Sequence, residues 1–376
     1  MISLARMESS GPTRRVLIVT KSDGVGGIER NLSWFVPSLR ERGIDCDLVV
    51  LQPAVGGPEL FVDLDPVLLS GGGAGARSMI RRLWALRSLA RDYDVVIGTG
   101  PVANQLVCLA AARARRIVAE QNDPFIDRRQ RWNRRWGWVL RRADAVVVHT
   151  RELAEEVRAA GNYPAKVAVI PNAVDPSACA VAPSPERRPV VCGIGRLVPQ
   201  KGFADLVRAF SAVGADADEW SLLLVGDGPE RVALERLAND LGLGDRLTVT
   251  GVVADPWRAV DTAAVFVLPS HHEGFGNVIL EAAAAGCVLL VSDCRFGPRE
   301  IVRHERDGLV FRAGDVDELT ALLRRLMTDV DLRRKLAAAG RERLADYSVE
   351  RVVDDWIEVL GPSPSDDSPR SGPLHS

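Results

Sequence analysis

Glu273 and Glu281 stand eight residues apart in the stretch Pro269 to Gly286, PSHHEGFGNVILEAAAAG, with Gly274, Phe275, Gly276 and Asn277 between them. A carboxylate accepts hydrogen bonds from hydroxyls. A glycine-rich turn entering a helix offers backbone N–H groups and the positive end of the helix dipole to an anion. One carboxylate beside the turn and one about a turn and a half inside the helix suit a ligand that carries both phosphate and hydroxyl groups. The same residues also fit a scaffold role, with Glu273 capping the helix and Glu281 solvated on it.

A second set of residues carries positive charge. Gly193 to Gly202, GIGRLVPQKG, places Arg196 and Lys201 in one loop beside the amide of Gly195. A diphosphate needs such multiple donors and cationic charge. Gly226-Asp227-Gly228-Pro229 is another tight turn, and Ser292 to Glu300 adds a loop with Arg299. Near the N-terminus, KSDGVGGIER carries Gly24, Gly26 and Gly27. The dinucleotide fingerprint G-x-G-x-x-G fails there because Glu29 stands at the third glycine position, which disfavours an oxidoreductase.

These groups need strand ends to hold them. Arg15 to Thr20 is a short apolar run followed by the glycine turn and a helical pattern to about Glu41, the opening of a doubly wound α/β domain. Strands are expected at Cys46–Leu51, Val62–Leu69, Asp94–Gly98, Arg116–Ala119, Asp144–Val148 and Lys166–Ile170, with helices between. The prolines from Pro171 to Pro189 mark a linker. The alternation then restarts, with strands at Val190–Gly193, Ser221–Val225, Leu247–Thr250, Ala264–Leu268 and Val288–Val291. All four chemistry-bearing clusters of this second half fall at strand-to-helix turns, where open parallel sheets bind ligands.

Composition narrows the class. The 376 residues are 47% hydrophobic and 26% charged, ordinary globular material for two or three domains. No stretch approaches the ~20 apolar residues of a membrane span. The six cysteines at 46, 108, 179, 192, 287 and 294 form no CxxC or Cys/His cluster, which fits a reducing cytosol and neither a disulfide framework nor a zinc site. Residues 1–180 hold 25 Lys+Arg against 19 Asp+Glu, a net of +6, and the remainder holds 23 against 31, a net of −8. Different partners are expected for the two halves.

The GRLVPQKG loop, the GDGPE turn, PSHHEGFGNVILEAAAAG and the downstream GPREIV…DGLVF together resemble the retaining nucleotide-sugar glycosyltransferases of family 4, over nearly all of Arg15 to Leu360. The resemblance implies the GT-B fold: two Rossmann-like doubly wound α/β domains facing across a cleft, with a C-terminal helix crossing back to the first. The expected division is a flexible N-terminus at 1–14, an acceptor domain at 15–174, a linker at 175–189, a donor domain at 190–345, a crossover helix at 346–360 and a disordered tail at 361–376. The resemblance implies that Arg196 and Lys201 contact the donor diphosphate and stabilise it as it leaves. Glu281 would hold the ribose hydroxyls. Glu273, with Gly274 and the amides around Phe275, Gly276 and Asn277, would hold the transferred sugar, and Gly195, Gly226 and Gly228 would line the donor. Gly26 and Gly27 would close over it from the first domain.

Charge develops on the departing diphosphate, so fixed donors there favour the transition state over the ground state. No metal is expected. Asp315-Val316-Asp317 has D-x-D spacing but opens a helix and reads as its cap. No cofactor is expected beyond the nucleotide sugar itself, and the resemblance implies front-face transfer in which the leaving phosphate accepts the acceptor's proton.

The acceptor side departs from the family pattern. Where many relatives carry His or Arg, this chain reads Glu120-Gln121-Asn122-Asp123-Pro124; Gln121 and Asn122 can bond a sugar hydroxyl, but Gln121 cannot shuttle a proton at neutral pH. His149, at another strand end, is either a sugar contact or a structural histidine. Cys287 replaces a usual proline, a change expected to be structural. Residues 125–142 hold seven arginines and three tryptophans, Trp132, Trp136 and Trp138, and 77–91 carries Arg77, Arg81, Arg82 and Arg87 beside Met79, Ile80, Leu83 and Trp84. Either these face an anionic membrane, placing the protein on the cytoplasmic side near a lipid-linked acceptor, or the tryptophans are core and the arginines solvated. Two other functions fit less of the chain: a nucleotide-sugar 2-epimerase, for which no added acid/base cluster is present, and a basic nucleic-acid-binding module, so nucleic acid is not an expected partner.

Overall fold

A computed structural model describes residues 13–21, 27–51, 61, 63–69, 76–120, 137–161, 163–164, 166–179, 186–214, 218–253 and 255–361. The chain divides into two compact units: Met1–Val148 with Val157–Ile170 and Val353–Ser376, and His149–Glu156 with Pro171–Val352. The chain thus returns to the first unit within its last helix, Val349–Leu360. Among the described residues, no helix is long and apolar enough to cross a membrane.

The first unit is built on a seven-stranded parallel sheet of order β3-β2-β1-β4-β5-β6-β7. Its strands are β1 Arg15–Thr20, β2 Asp45–Val50, β3 Val67–Leu68, β4 Val95–Thr99, β5 Arg115–Glu120, β6 Ala145–Val148 and β7 Val167–Val169. Helices on both faces require strands that are apolar on both, and β1, β4 and β6 are buried almost throughout. The end of the last helix belongs to this unit by packing: the Trp356 ring lies 5.2 Å from Phe35, and Asp354 pairs with Arg42. Val62–Leu69 is not the full strand that its composition suggests. Val62 lies outside the described residues; from Asp63 on, Asp65 takes a positive φ of 48°, which breaks an extended run, and pairing is confined to Val67 and Leu68 at an exposed edge.

The second unit holds a six-stranded parallel sheet of order β10-β9-β8-β11-β12-β13. These strands are β8 Arg188–Ile194, β9 Ser221–Val225, β10 Leu247–Val249, β11 Ala263–Leu268, β12 Val288–Ser292 and β13 Leu309–Phe311. β8 begins two residues earlier than the sequence suggests, inside the proline-rich segment. Arg188 pairs with Ala263 and Val191 with Val265, so the register shifts around Pro189, which has no N–H to give a regular ladder. Pro176–Cys179 forms a short helix within the expected linker, and β13, which no sequence pattern marks, adds a sixth strand. Each face of the sheet buries its own cluster. Phe203, Phe210, Leu224 and Leu323 pack on one side, and Phe266, Leu268, Ile279 and Ala282 on the other. Phe203 and Phe266 are wholly buried, each contributing about 1.5–3 kcal/mol relative to exposure.

Strand order decides where a ligand can sit. The chain winds from β8 outward to β10 on one side and from β11 outward to β13 on the other, so β8 and β11 flank the switch point of the sheet. Loops leaving the carboxyl ends of those two strands diverge there and open a crevice. Those two loops are Gly195–Gly202 and Pro269–Gly276.

Candidate active site

Lys201 and Glu273 meet in this crevice. After β8, Gly195 and Arg196 lead into a single 3-10 turn, Pro199–Lys201, and then the helix Phe203–Ala212. After β11 the chain runs through Pro269 and Ser270 to Glu273 and enters the helix Asn277–Ala284. Lys201 Nζ donates to Glu273 Oε1 at 2.7 Å, and Ser270 Oγ donates to the same oxygen at 2.6 Å. Both carboxylates of the motif are buried, Glu273 and Glu281 at 7% exposure each. A carboxylate at that depth is costly unless it is paired or hydrogen-bonded, so neither is a solvated surface residue. Glu281 sits among Ile279, Leu280, Ala282, Ala283 and Ala284, all buried, on a helix whose other side chains, Asn277 apart, are apolar.

The two loops are tied to one another. Gln200 Nε2 donates to the carbonyl of His272 at 2.9 Å, and the His271 amide donates to the carbonyl of Gln200 at 2.9 Å. His271 Nε2 lies 3.3 Å from Asp205 Oδ2. Gly202 makes this possible: its φ of +65° is left-handed, and a Cβ there would stand 2.1 Å from the carbonyl oxygen of Pro269. The third turn joins in the same way. The Leu197 amide donates to the carbonyl of Asp227 and the Glu230 amide to that of Leu197. Gly226, at φ +142°, approaches so closely that a Cβ would fall 1.9 Å from the carbonyl oxygen of Gly195. Ser292, at the end of β12, donates to the Ser270 carbonyl at 2.6 Å. Burial pushes the thiol of nearby Cys294 up to about 12, which leaves it no role as a thiolate.

The remaining expected residues fall as follows. Arg196 is exposed, with no ion pair among the described residues, and so has its guanidinium available to a ligand. Phe275 is buried, so its ring packs and only its backbone can serve a ligand; Gly276 precedes the helix at φ +97°. His149 is buried with its ring 5.9 Å from that of Phe275, edge to face. Asn277 Oδ1 accepts from Asn172 Nδ2 at 2.7 Å, which ties the Pro171–Val174 turn to the start of the helix. Arg299 lines an open cavity of about 440 Å³ with Asp293, His304 and Arg312. Gly27 is the exposed first residue of the helix Gly27–Glu41, and Glu29 lies within that helix, buried. Gly26, Gln121 and Asn122 lie outside the described residues. The Asp315 side chain accepts from the Glu318 amide at 2.9 Å, the cap that its position suggests.

Two features of the site are not visible in the sequence. Ser270 bonds the Glu273 carboxylate from three residues upstream, and its only signal is its place in PSHHEG. The Lys201–Glu273 pair spans 72 residues, and nothing in either motif alone announces it.

Residues 25–178 match the profile described as Glycosyltransferase Family 4, and residues 178–343 match that of Glycosyl transferases group 1. The lipopolysaccharide core biosynthesis glycosyltransferase LpsD of Rhizobium meliloti is 33% identical over 347 residues, covering 89% of this chain and 95% of that protein. The 2-deoxystreptamine glucosyltransferase of Streptomyces kanamyceticus is 30% identical, covering 74% of this chain and 76% of its own. In fold, the chain is similar to HepE of Anabaena, solved in complex with UDP and glucose, with a TM-score of 0.78 at 20% identity over 92% of this chain and 99% of that one. The chain belongs to the family 4 glycosyltransferases, with the GT-B fold.

Proposed function

We propose that the chain is a retaining, metal-independent glycosyltransferase that moves a hexose or N-acetylhexosamine from a nucleotide-diphosphate donor to a hydroxyl acceptor in cell-surface polysaccharide or lipopolysaccharide synthesis. The observation that carries this reading is the meeting of Arg196, Lys201, Glu273 and the Gly276 helix start around one sheet switch point, with the cationic and carboxylate loops hydrogen-bonded together. Arg196 and Lys201 bind the diphosphate and stabilise its growing charge as the glycosidic bond breaks. Glu273 accepts hydroxyls of the sugar, and Glu281 those of the ribose. The departing phosphate takes the proton of the acceptor hydroxyl, so no protein base is required on the acceptor side. LpsD and the 2-deoxystreptamine glucosyltransferase bear names that point to different acceptors, so the class of reaction carries over more firmly than the acceptor.

The test begins with a thermal-shift screen against UDP-, GDP- and ADP-sugars, since a ligand bound to the native state raises apparent stability by mass action. The sugar that stabilises is then supplied with acceptor, and the anomeric configuration of the product is read by NMR. Inversion of that configuration, or no stabilisation by any nucleotide sugar, counts against the reading.

A cytoplasmic protein at the inner membrane face is the accompanying reading for the first unit. On the helix Ala76–Leu89, Ile80 and Trp84 are 54% and 66% exposed beside exposed Arg81 and Arg87, and Arg142 stacks 5.2 Å over the exposed ring of Trp138. Arg87, Arg91 and Arg113 also line one small cavity. Trp132 and Trp136 lie outside the described residues. Exposed tryptophan among arginines suits an anionic lipid surface. Co-sedimentation with phosphatidylglycerol vesicles at low salt is expected, and its loss in Trp84→Ala with Arg87→Gln checks the surface.

A further inference from the structure

The geometry points to Ser270 as a positioning residue for glycosyl transfer, one that keeps Glu273 in place when Lys201 turns to the donor. This rests on the assignment of Glu273 to the sugar.

Two donors share one oxygen. Lys201 Nζ and Ser270 Oγ both reach Glu273 Oε1, at 2.7 and 2.6 Å. Their situations differ. The Lys201 side chain keeps 16% of its exposure and ends in a flexible ammonium with three donors, so an arriving diphosphate competes for it. Ser270 is wholly buried and cannot leave. Its carbonyl is bonded at 2.6 Å by the hydroxyl of Ser292, itself wholly buried at the end of β12. The support therefore runs from the central sheet through Ser292 and Ser270 to the carboxylate, while the Lys201 contact comes from a loop.

Donor binding draws on Lys201 and so loosens one of the two groups that hold Glu273 Oε1. The Ser270 hydroxyl remains. It fixes one oxygen so that the other keeps its direction toward a sugar hydroxyl. A buried serine with no functional part would show the same contact in the ligand-free chain, but its loss would not lower kcat while leaving the donor KM in place.

The experiment compares Ser270→Ala, Ser270→Thr and Glu273→Gln in the full chain. It uses the nucleotide sugar selected by the stability screen and measures kcat and donor KM, with ligand-free melting as the control for folding. Ser270→Ala is expected to stay folded, to lose at least tenfold in kcat, and to keep the donor KM within about threefold of the parent's. Ser270→Thr, which keeps the hydroxyl, is expected to recover most of the lost kcat. A parental kcat in a folded Ser270→Ala protein, or a loss that falls on KM alone, overturns the proposal, as does a Ser270→Thr protein as slow as Ser270→Ala. Glu273→Gln separates the two levels of argument. If it turns over like the parent, the assignment of Glu273 fails; if it is crippled while Ser270→Ala behaves as the parent, only the role of Ser270 fails.

Discussion

Lys201 Nζ lies 2.7 Å from Glu273 Oε1, so the cation and the carboxylate that separate motifs supply form one ion pair in the ligand-free chain. The side chains are 16% and 8% exposed, deep enough that removing one partner leaves an uncompensated charge. Lys201→Met is therefore expected to destabilise the second unit by about 2–3 kcal/mol, below the ~3–5 kcal/mol of a fully buried pair because Ser270 still serves the carboxylate. Glu273→Gln added to it should recover part of that loss. Urea unfolding of the two single variants and the double variant should return a coupling energy of about 1–3 kcal/mol, and additivity would show that the pair is not energetically joined.

Arg196→Ala has the opposite profile. Arg196 is exposed and has no ion pair among the described residues, so its loss should leave the melting temperature within a degree or so. If it stabilises the leaving diphosphate, kcat should fall by about 10²–10³, or ~2.7–4 kcal/mol, the scale for removing one preorganised donor. Steady-state rates at saturating donor test this, and parental turnover in a folded Arg196→Ala protein removes the residue from the chemistry.

Much of this site is legible in the amino-acid sequence, and the reason lies in local signals. Alternating apolar runs and helical patterns place β8, β9, β11 and β12 to within a few residues, because a strand covered on both faces must be apolar throughout. Short glycine turns after those strands locate the loops. What escapes is whatever depends on two distant segments. The pairing of Lys201 with Glu273 needs β8 and β11 to be neighbours, a fact of strand order. β13 escapes because Leu309–Phe311 is too short to carry a period, and β8 begins early because a bulge absorbs Pro189 in a segment that reads as linker.

Gly202→Ala should damage the site without touching the charged residues. The added methyl would fall 2.1 Å from the Pro269 carbonyl oxygen, and an L-residue at φ +65° costs roughly 1–2 kcal/mol before any clash. The backbone must shift, and with it Lys201 and the contacts from Gln200 to His271 and His272. A lower melting temperature together with at least a tenfold weaker thermal shift from the donor is expected. Gly214→Ala is the control: it also has positive φ, at +74°, but beyond its chain neighbours no atom of the described residues stands within 4 Å of a Cβ there, so it should cost stability alone.

The thiols report burial directly. Cys46, Cys108, Cys192, Cys287 and Cys294 are buried, and Cys179 is exposed. Burial pushes Cys46 and Cys108 up to about 12, so neither is a thiolate at neutral pH. Titration with an aromatic disulfide reagent at pH 8 should release one equivalent quickly from the native chain and all six in denaturant. Cys179→Ser should abolish the fast phase, and a second fast equivalent would show that one of the buried sites opens.

Glu305 gives a stability term with a defined pH sign. Its carboxylate is gripped by Arg325, whose Nη2 stands 3.1 Å from Oε2 while Nη1 holds Oε1, and this hydrogen bonding lowers its pKa below the usual range. Glu305 has positive φ, at +64°, and the pair fastens its turn to the helix Val316–Thr328. A depressed folded value means that the stabilisation is complete above the unfolded value, near 4.3, and is lost as pH falls through the folded one. Glu305→Gln should therefore melt below the parent at pH 7, and the gap should close as pH drops below about 4. Both partners are exposed, at 42% and 44%, so salt must act on the same gap. Scanning calorimetry at pH 7 and pH 3.5, each with and without 0.5 M salt, on the order of a 4–5 Å Debye length, should find the largest difference at pH 7 in low salt. A gap that persists unchanged at pH 3.5 would assign the effect to side-chain packing and not to the ion pair.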